Sequence, residues 1–179
     1  MAVTSLTAFL DSHEIAPEEA DTDALIAKLK AVRKRGFYTR REFCAACHWK
    51  SPRARRHYEA NTKEAIERTT RRALASRSER ERLELLETLR GVSAPMASAL
   101  LTLANPKRYG VIDIRVWQLL YRFKAVSTRP SGVGFAFNHW YRYLMLLRHH
   151  ARRLDVSARA VERTLFQHHR RYSRGRLYG

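Results

Sequence analysis

The sequence predicts an all-α fold, and three observations predict it. Helix-start signatures recur: Thr39 with Glu42, Asn61 with Glu64, and Ser78 with Glu81 each place a capping side chain three residues ahead of a carboxylate. Apolar residues follow at helical spacing, as in Leu83, Leu86 and Leu89. No stretch of useful length alternates apolar and polar residues as a half-buried strand does.

In chain order, Pro17 with Glu18 and Glu19 suits a first turn, and Leu25, Ile26, Leu29 and Val32 continue an apolar face that Gly36 stops. Thr39 opens a helix from Arg40 to about Lys50, and Ser51-Pro52 starts a short one. Asn61 caps the next, to about Ala75, and Ser78 the one after. A compact apolar helix runs from Met96 to Ala104, broken by Asn105-Pro106. Tyr109 to Ile112 is extended, and Asp113 is placed to cap a helix from Ile114 to about Phe123. Val126 to Gly134 reads as a loop. A long aromatic helix covers Phe137 to Leu154, and Ser157 caps a last helix ending near Tyr172. The expectation is one all-α unit over 1–172, followed by a loose basic tail over 173–179.

Charge narrows the partner. Lys and Arg number 35 against 17 Asp and Glu, a net charge of +18. Such an excess favours a polyanion, because each neutralised phosphate releases condensed counterions. DNA, RNA and a membrane surface all satisfy the bare charge. No apolar run approaches the roughly 20 residues that span a bilayer, and the N-terminal residues carry no basic export signal. Cys44 and Cys47 make no disulfide framework, which fits a reducing cytoplasm.

The segment from Glu81 to Phe123 carries the most information. One helix ends at Leu89-Arg90, the chain turns through Gly91-Val92-Ser93, and a second helix restarts at Pro95-Met96-Ala97. A tight hairpin of this kind presents the amides of Gly91, Ser93, Ala94 and Met96 near a helix N-terminus, where backbone N–H groups and the helix dipole hold a DNA phosphate.

Leu89-Arg90-Gly91-Val92-Ser93-Ala94-Pro95-Met96-Ala97, followed by Val111-Ile112-Asp113-Ile114-Arg115-Val116, resembles the helix-hairpin-helix family of DNA glycosylases. That group contains endonuclease III and the adenine and alkylpurine glycosylases. The resemblance implies a two-lobed helical fold with the helix-hairpin-helix at about 80–104 and the catalytic region at 109–123. It implies that Asp113 is the catalytic carboxylate. A carboxylate there stabilises the positive charge that builds on the sugar as the base leaves, or orients the attacking water. It further implies a duplex DNA partner whose target base flips into a pocket. Bifunctional members carry a lysine nucleophile at the position of Pro95, so the resemblance implies a monofunctional enzyme that leaves an abasic site. Ser93 replaces the second hairpin glycine, and with two cysteines the iron–sulfur cluster of some members is not expected. No cofactor, metal, membrane or obligate protein partner is expected, and the location implied is the cytoplasm, on the nucleoid.

Trp49-Lys50-Ser51-Pro52-Arg53-Ala54-Arg55-Arg56 combines an aromatic, a helix start and several cations. Trp49, Lys50 and Tyr109 are candidates to line the base pocket, and Arg53, Arg55 and Arg56 to grip phosphates; a solvated basic face is the plainer alternative. Asn61 caps a helix or reads a base. Cys44-Ala45-Ala46-Cys47-His48 matches a haem-attachment pattern but lies inside a capped helix, where the cysteines read as buried packers. His149-His150 and His168-His169, flanked by arginines, read as solvated or phosphate-facing surface, and Trp117 as core. A non-catalytic helix-hairpin-helix DNA-binding module and an RNA-associated basic protein stand as alternatives, and the excised base stays unnamed.

Overall fold

A computed structural model describes residues 5–172. Within them the chain is all-α, with ten helices and no strand: α1 (Leu6–Asp11), α2 (Ala20–Arg35), α3 (Arg40–Lys50), α4 (Arg55–Tyr58), α5 (Lys63–Ala75), α6 (Glu79–Glu87), α7 (Ala94–Ala104), α8 (Ile114–Arg122), α9 (Phe137–Arg153) and α10 (Ala158–Tyr172). A single 3-10 turn, Pro52–Ala54, joins α3 to α4. The expected tail from Ser173 lies outside the described residues. No helix among them is long and apolar enough to cross a membrane.

Local chemistry sets most of the boundaries. Thr39 and Glu42 form a reciprocal capping box at α3. The Ser78 hydroxyl accepts from the Glu81 amide at α6, and that of Ser157 from the Ala160 amide at α10. Two starts differ from expectation. Thr62, not Asn61, caps α5, its hydroxyl accepting from the Ala65 amide. The helix after Pro17 begins only at Ala20, because Pro17 and Glu18 lie in the preceding loop, where the Pro17 carbonyl accepts from Arg163 and the Glu18 carboxylate from Arg159. α1, capped by Ser5, was not anticipated.

α7 is the central element. Of its eleven residues only Pro95 is not buried, as expected of a helix that is apolar all round. It packs against α2, α3, α6 and α9, while α10 covers α8 and α9. The segment from Tyr109 to Ile112 runs extended between these layers. Its polar backbone is satisfied there: the Ile112 amide donates to Ser98 Oγ (3.0 Å), and the buried Tyr143 hydroxyl donates to the Val111 carbonyl (2.8 Å). Gly110 belongs to this segment because a Cβ there would run into Leu147 and lie 3.0 Å from Glu162 Cβ. The segment thereby delivers Asp113, the next residue but one after Val111, to a fixed place.

Candidate active site

Asp113 is the N-cap of α8, in extended backbone conformation. One carboxylate oxygen, Oδ1, accepts from the Arg115 amide at 2.9 Å. The other, Oδ2, accepts from Lys50 Nζ, also at 2.9 Å. Lys50 is the last residue of α3, so the pair joins residues 63 positions apart. The carboxylate is therefore held at both oxygens yet keeps about a fifth of its side-chain surface open (22%).

Lys50 and Asp113 stand in the wall between two cavities. The smaller one, about 270 Å3 and called inner for its buried Glu162, is lined by Trp49, Thr22, Val111, Glu162, Arg159 and Phe166 together with the pair. The outer one, about 520 Å3, is a groove that carries the hairpin residues Gly91, Ser93, Pro95 and Met96, with Arg53 and Phe135 opposite, and again the pair.

The inner cavity has a polar back wall. Glu162 is buried, and desolvation pushes its carboxyl above the usual range despite the charge of Arg159 beside it. Burial works against the Arg159 guanidinium, but Glu162 and Glu18 together outweigh it and raise Arg159 above its ordinary value. The Arg159 guanidinium also lies 5.3 Å from the Trp49 ring centroid, and the indole Nε1 donates to Thr22 Oγ1 at 3.0 Å. Trp49 is thus fixed from both sides as a half-buried aromatic wall.

The outer groove depends on the hairpin. Gly91 adopts φ +76°, and a Cβ there would stand 2.8 Å from His57 Cβ and 2.9 Å from the Tyr58 amide, so both conformation and space require glycine. Ser93 adopts φ −98° and ψ 173°, open to any residue, so the serine is accommodated without strain. Its side chain makes no cap bond, and the Ser93 and Met96 amides find no acceptor among the described residues. The Ala94 amide differs: it interacts with the Glu87 carboxylate, which burial and Glu84 otherwise push upward.

Of the candidates read from sequence, Trp49, Lys50 and Asp113 come together at the inner cavity, and Gly91, Ser93, Met96 and Arg53 meet Lys50 and Asp113 in the groove. Others do not join them. Tyr109 is buried in the wall of a different cavity, its hydroxyl donating to Glu79 Oε2 at 3.0 Å. Arg55 is exposed and paired with Glu59 at 2.8 Å, and Arg56 is exposed; neither lines the groove. Asn61 does not cap α5. Its amide nitrogen donates to the Tyr58 and Arg90 carbonyls and its oxygen accepts from the Arg90 amide, each at 2.9 Å, so it clamps the hairpin to α4. His150 and His169 are buried, not surface residues, while Trp117 is core as expected. Cys44 and Cys47 are free thiols, and burial pushes Cys47 well above the thiol range. No group of metal-binding side chains occurs among the described residues.

Sequence reasoning missed Arg159, Glu162 and Phe166. On α10 their spacing marks only one helix face, and nothing local distinguishes them from ordinary buried ion pairs. No family model, curated protein or solved structure matches the chain.

Proposed function

We propose that this protein is a DNA glycosylase of the helix-hairpin-helix type, with a two-lobed architecture, that hydrolyses the N-glycosidic bond of a damaged or modified base. The observation that carries the reading is the position of the Asp113 carboxylate in the wall shared by a base-sized inner cavity and the hairpin groove. Duplex DNA lies along the groove, with a backbone phosphate on the free amides of Ser93 and Met96 and another near Arg53. The target base passes the Lys50–Asp113 pair and stacks on Trp49. This leaves the sugar beside Asp113. As the glycosidic bond breaks, its electron pair leaves with the base and positive charge develops at C1′. The carboxylate opposes that charge and orients a water, whose oxygen bonds to C1′ while its proton passes by way of the carboxylate to the departing base. The products are a free base and an abasic site. Lys50 supplies the counter-charge that fixes the carboxylate's orientation.

One observation favours a second reading of Lys50. Pro95 carries no amine, but Lys50 Nζ stands 2.9 Å from Asp113 and faces both cavities. A primary amine there is within reach of C1′ and is a candidate Schiff-base nucleophile. Two assays on the same modified-base duplex separate the readings. Alkali-dependent breaks with no borohydride-trapped adduct support the hydrolytic enzyme. Alkali-independent breaks with an adduct that disappears in Lys50→Ala make it a lyase through Lys50. A non-catalytic DNA-binding module predicts neither.

A further inference from the structure

Two contiguous surface hollows, of about 320 and 590 Å3, lie at the opposite end of α7 from the hairpin and share Arg33, Asn105 and Arg108. Neither has a lining residue in common with the groove or the inner cavity. The ends of α7, Ala94 and Ala104, stand about 15 Å apart at 1.5 Å of rise per residue. Eight cationic side chains line the two hollows, against one carboxylate, that of Asp155.

Three of the cations are built into one network. The Glu79 carboxylate lies 2.6 Å from Arg108, 2.8 Å from Arg148 and 3.4 Å from Arg82. The same three guanidiniums lie 5.1 to 5.9 Å from the Tyr109 ring centroid. Arg148 Nε also donates to the Arg108 carbonyl at 3.0 Å. One carboxylate thus holds three guanidiniums in place and neutralises only one of them.

Around this network stand Arg33, Arg71, Lys107 and Arg152, all exposed, and none enters an ion pair among the described residues. Helix ends explain part of the charge. The C-termini of α2, α5, α7 and α9 converge here, each with roughly half a negative charge. Those four half-charges and three carboxylates, Glu42 on Arg35, Glu79 and Asp155, offset about five of the eight cations. The surplus is mutually repulsive, and a polyanion relieves it. A single small anion reaches only a few of these groups, whereas a row of phosphates reaches both hollows. None of the exposed large apolar side chains, Tyr121, Val133 and Tyr141, lines either hollow. The face therefore lacks the apolar anchors of a membrane or protein surface and suits a phosphate backbone.

We propose that this face binds a second DNA duplex by its backbone while a first occupies the hairpin groove. The contacts carry no base preference. The choice of DNA as the polyanion rests on the glycosylase reading. A chain holding two duplexes can pass between DNA segments without first releasing one.

Sedimentation of the full chain with excess short unmodified duplex, at about 50 mM salt where phosphate contacts are strong, counts the duplexes bound per chain. Two are expected. Arg33→Ala/Arg71→Ala/Lys107→Ala/Arg152→Ala should weaken the second duplex by roughly tenfold or more and change the first by less than about twofold. Arg53→Glu, in the groove, should lose the first and keep the second. One duplex per chain that the quadruple variant binds unchanged, two duplexes on that variant, or no duplex at all overturns the proposal. So does one duplex weakened by both variants, since a single DNA then runs over both faces. One duplex lost in the quadruple variant and kept in Arg53→Glu upholds this face and overturns the groove as the DNA site. Phosphatidylserine vesicles bound by wild type and not by the quadruple variant, with no second duplex, assign the face to a membrane and overturn the proposal. Thermal melting of both variants checks that their folds are intact.

Discussion

At the scale of single residues, Asp113 makes two contacts at once. Its Oδ1 caps α8 while its Oδ2 meets Lys50. The cap was legible, since an Asp ahead of Ile-Arg-Val-Trp is an ordinary helix start. The ion pair was not, because its partner lies 63 residues away on another helix. Burial of the second histidine of each pair was equally illegible, since neighbouring arginines suggest solvent. His169 is 3% exposed, neither ring nitrogen has a partner, and burial with nearby Arg122 and Arg115 lowers its pKa to about 4. A histidine lowered on folding takes up its proton more readily in the unfolded chain. Stability from the neutral ring is thus full above about pH 6.5 and is lost as pH falls toward 4. His169→Gln is expected to reduce the loss of unfolding free energy between pH 7 and pH 5 by about 1–2 kcal/mol in urea melts. An unchanged pH dependence contradicts this account of His169.

At the scale of elements, the hairpin was readable because it is local. Gly91 announces a left-handed turn, Pro95 a helix start, and the small residues of α7 a buried helix. What holds the hairpin was not readable. Asn61, one residue ahead of the true cap of α5, spends both ends of its amide on Arg90 and Tyr58. Side-chain type suggested a cap, and only the fold reveals a clamp. Gly91→Ala combines positive-φ strain with a clash against the backbone of α4, and is expected to destabilise by about 2–4 kcal/mol. Chemical denaturation measures the loss, and DNA affinity should fall with it. A near-neutral effect on both would mean that the hairpin does not need its present shape.

At the scale of the whole molecule, the all-α class followed from helix caps and periodicity, whereas the convergence of α3, α7, α8 and α10 on one carboxylate required the three-dimensional packing. Charge acts at this scale too. With a net charge of +18, duplex binding is expected to fall steeply with salt, on the order of 10³-fold between 50 and 200 mM if about six phosphates are neutralised. Polarisation titrations at several salt concentrations give that slope. A flat dependence would remove phosphate contact as the basis of binding.

The most direct measurement is base release from duplexes carrying single modified or damaged bases, with wild type and Asp113→Asn side by side and duplex affinity measured on both. Asn is as good an N-cap as Asp but gives up the charge paired with Lys50, so the variant should lose about 1–3 kcal/mol of stability, stay folded and bind DNA as well. The account predicts base release by wild type on at least one substrate and loss of about a hundredfold or more in the variant. Equal release by both proteins would contradict Asp113 as the catalytic carboxylate. Binding without release by either, across a broad panel, would contradict the enzyme itself.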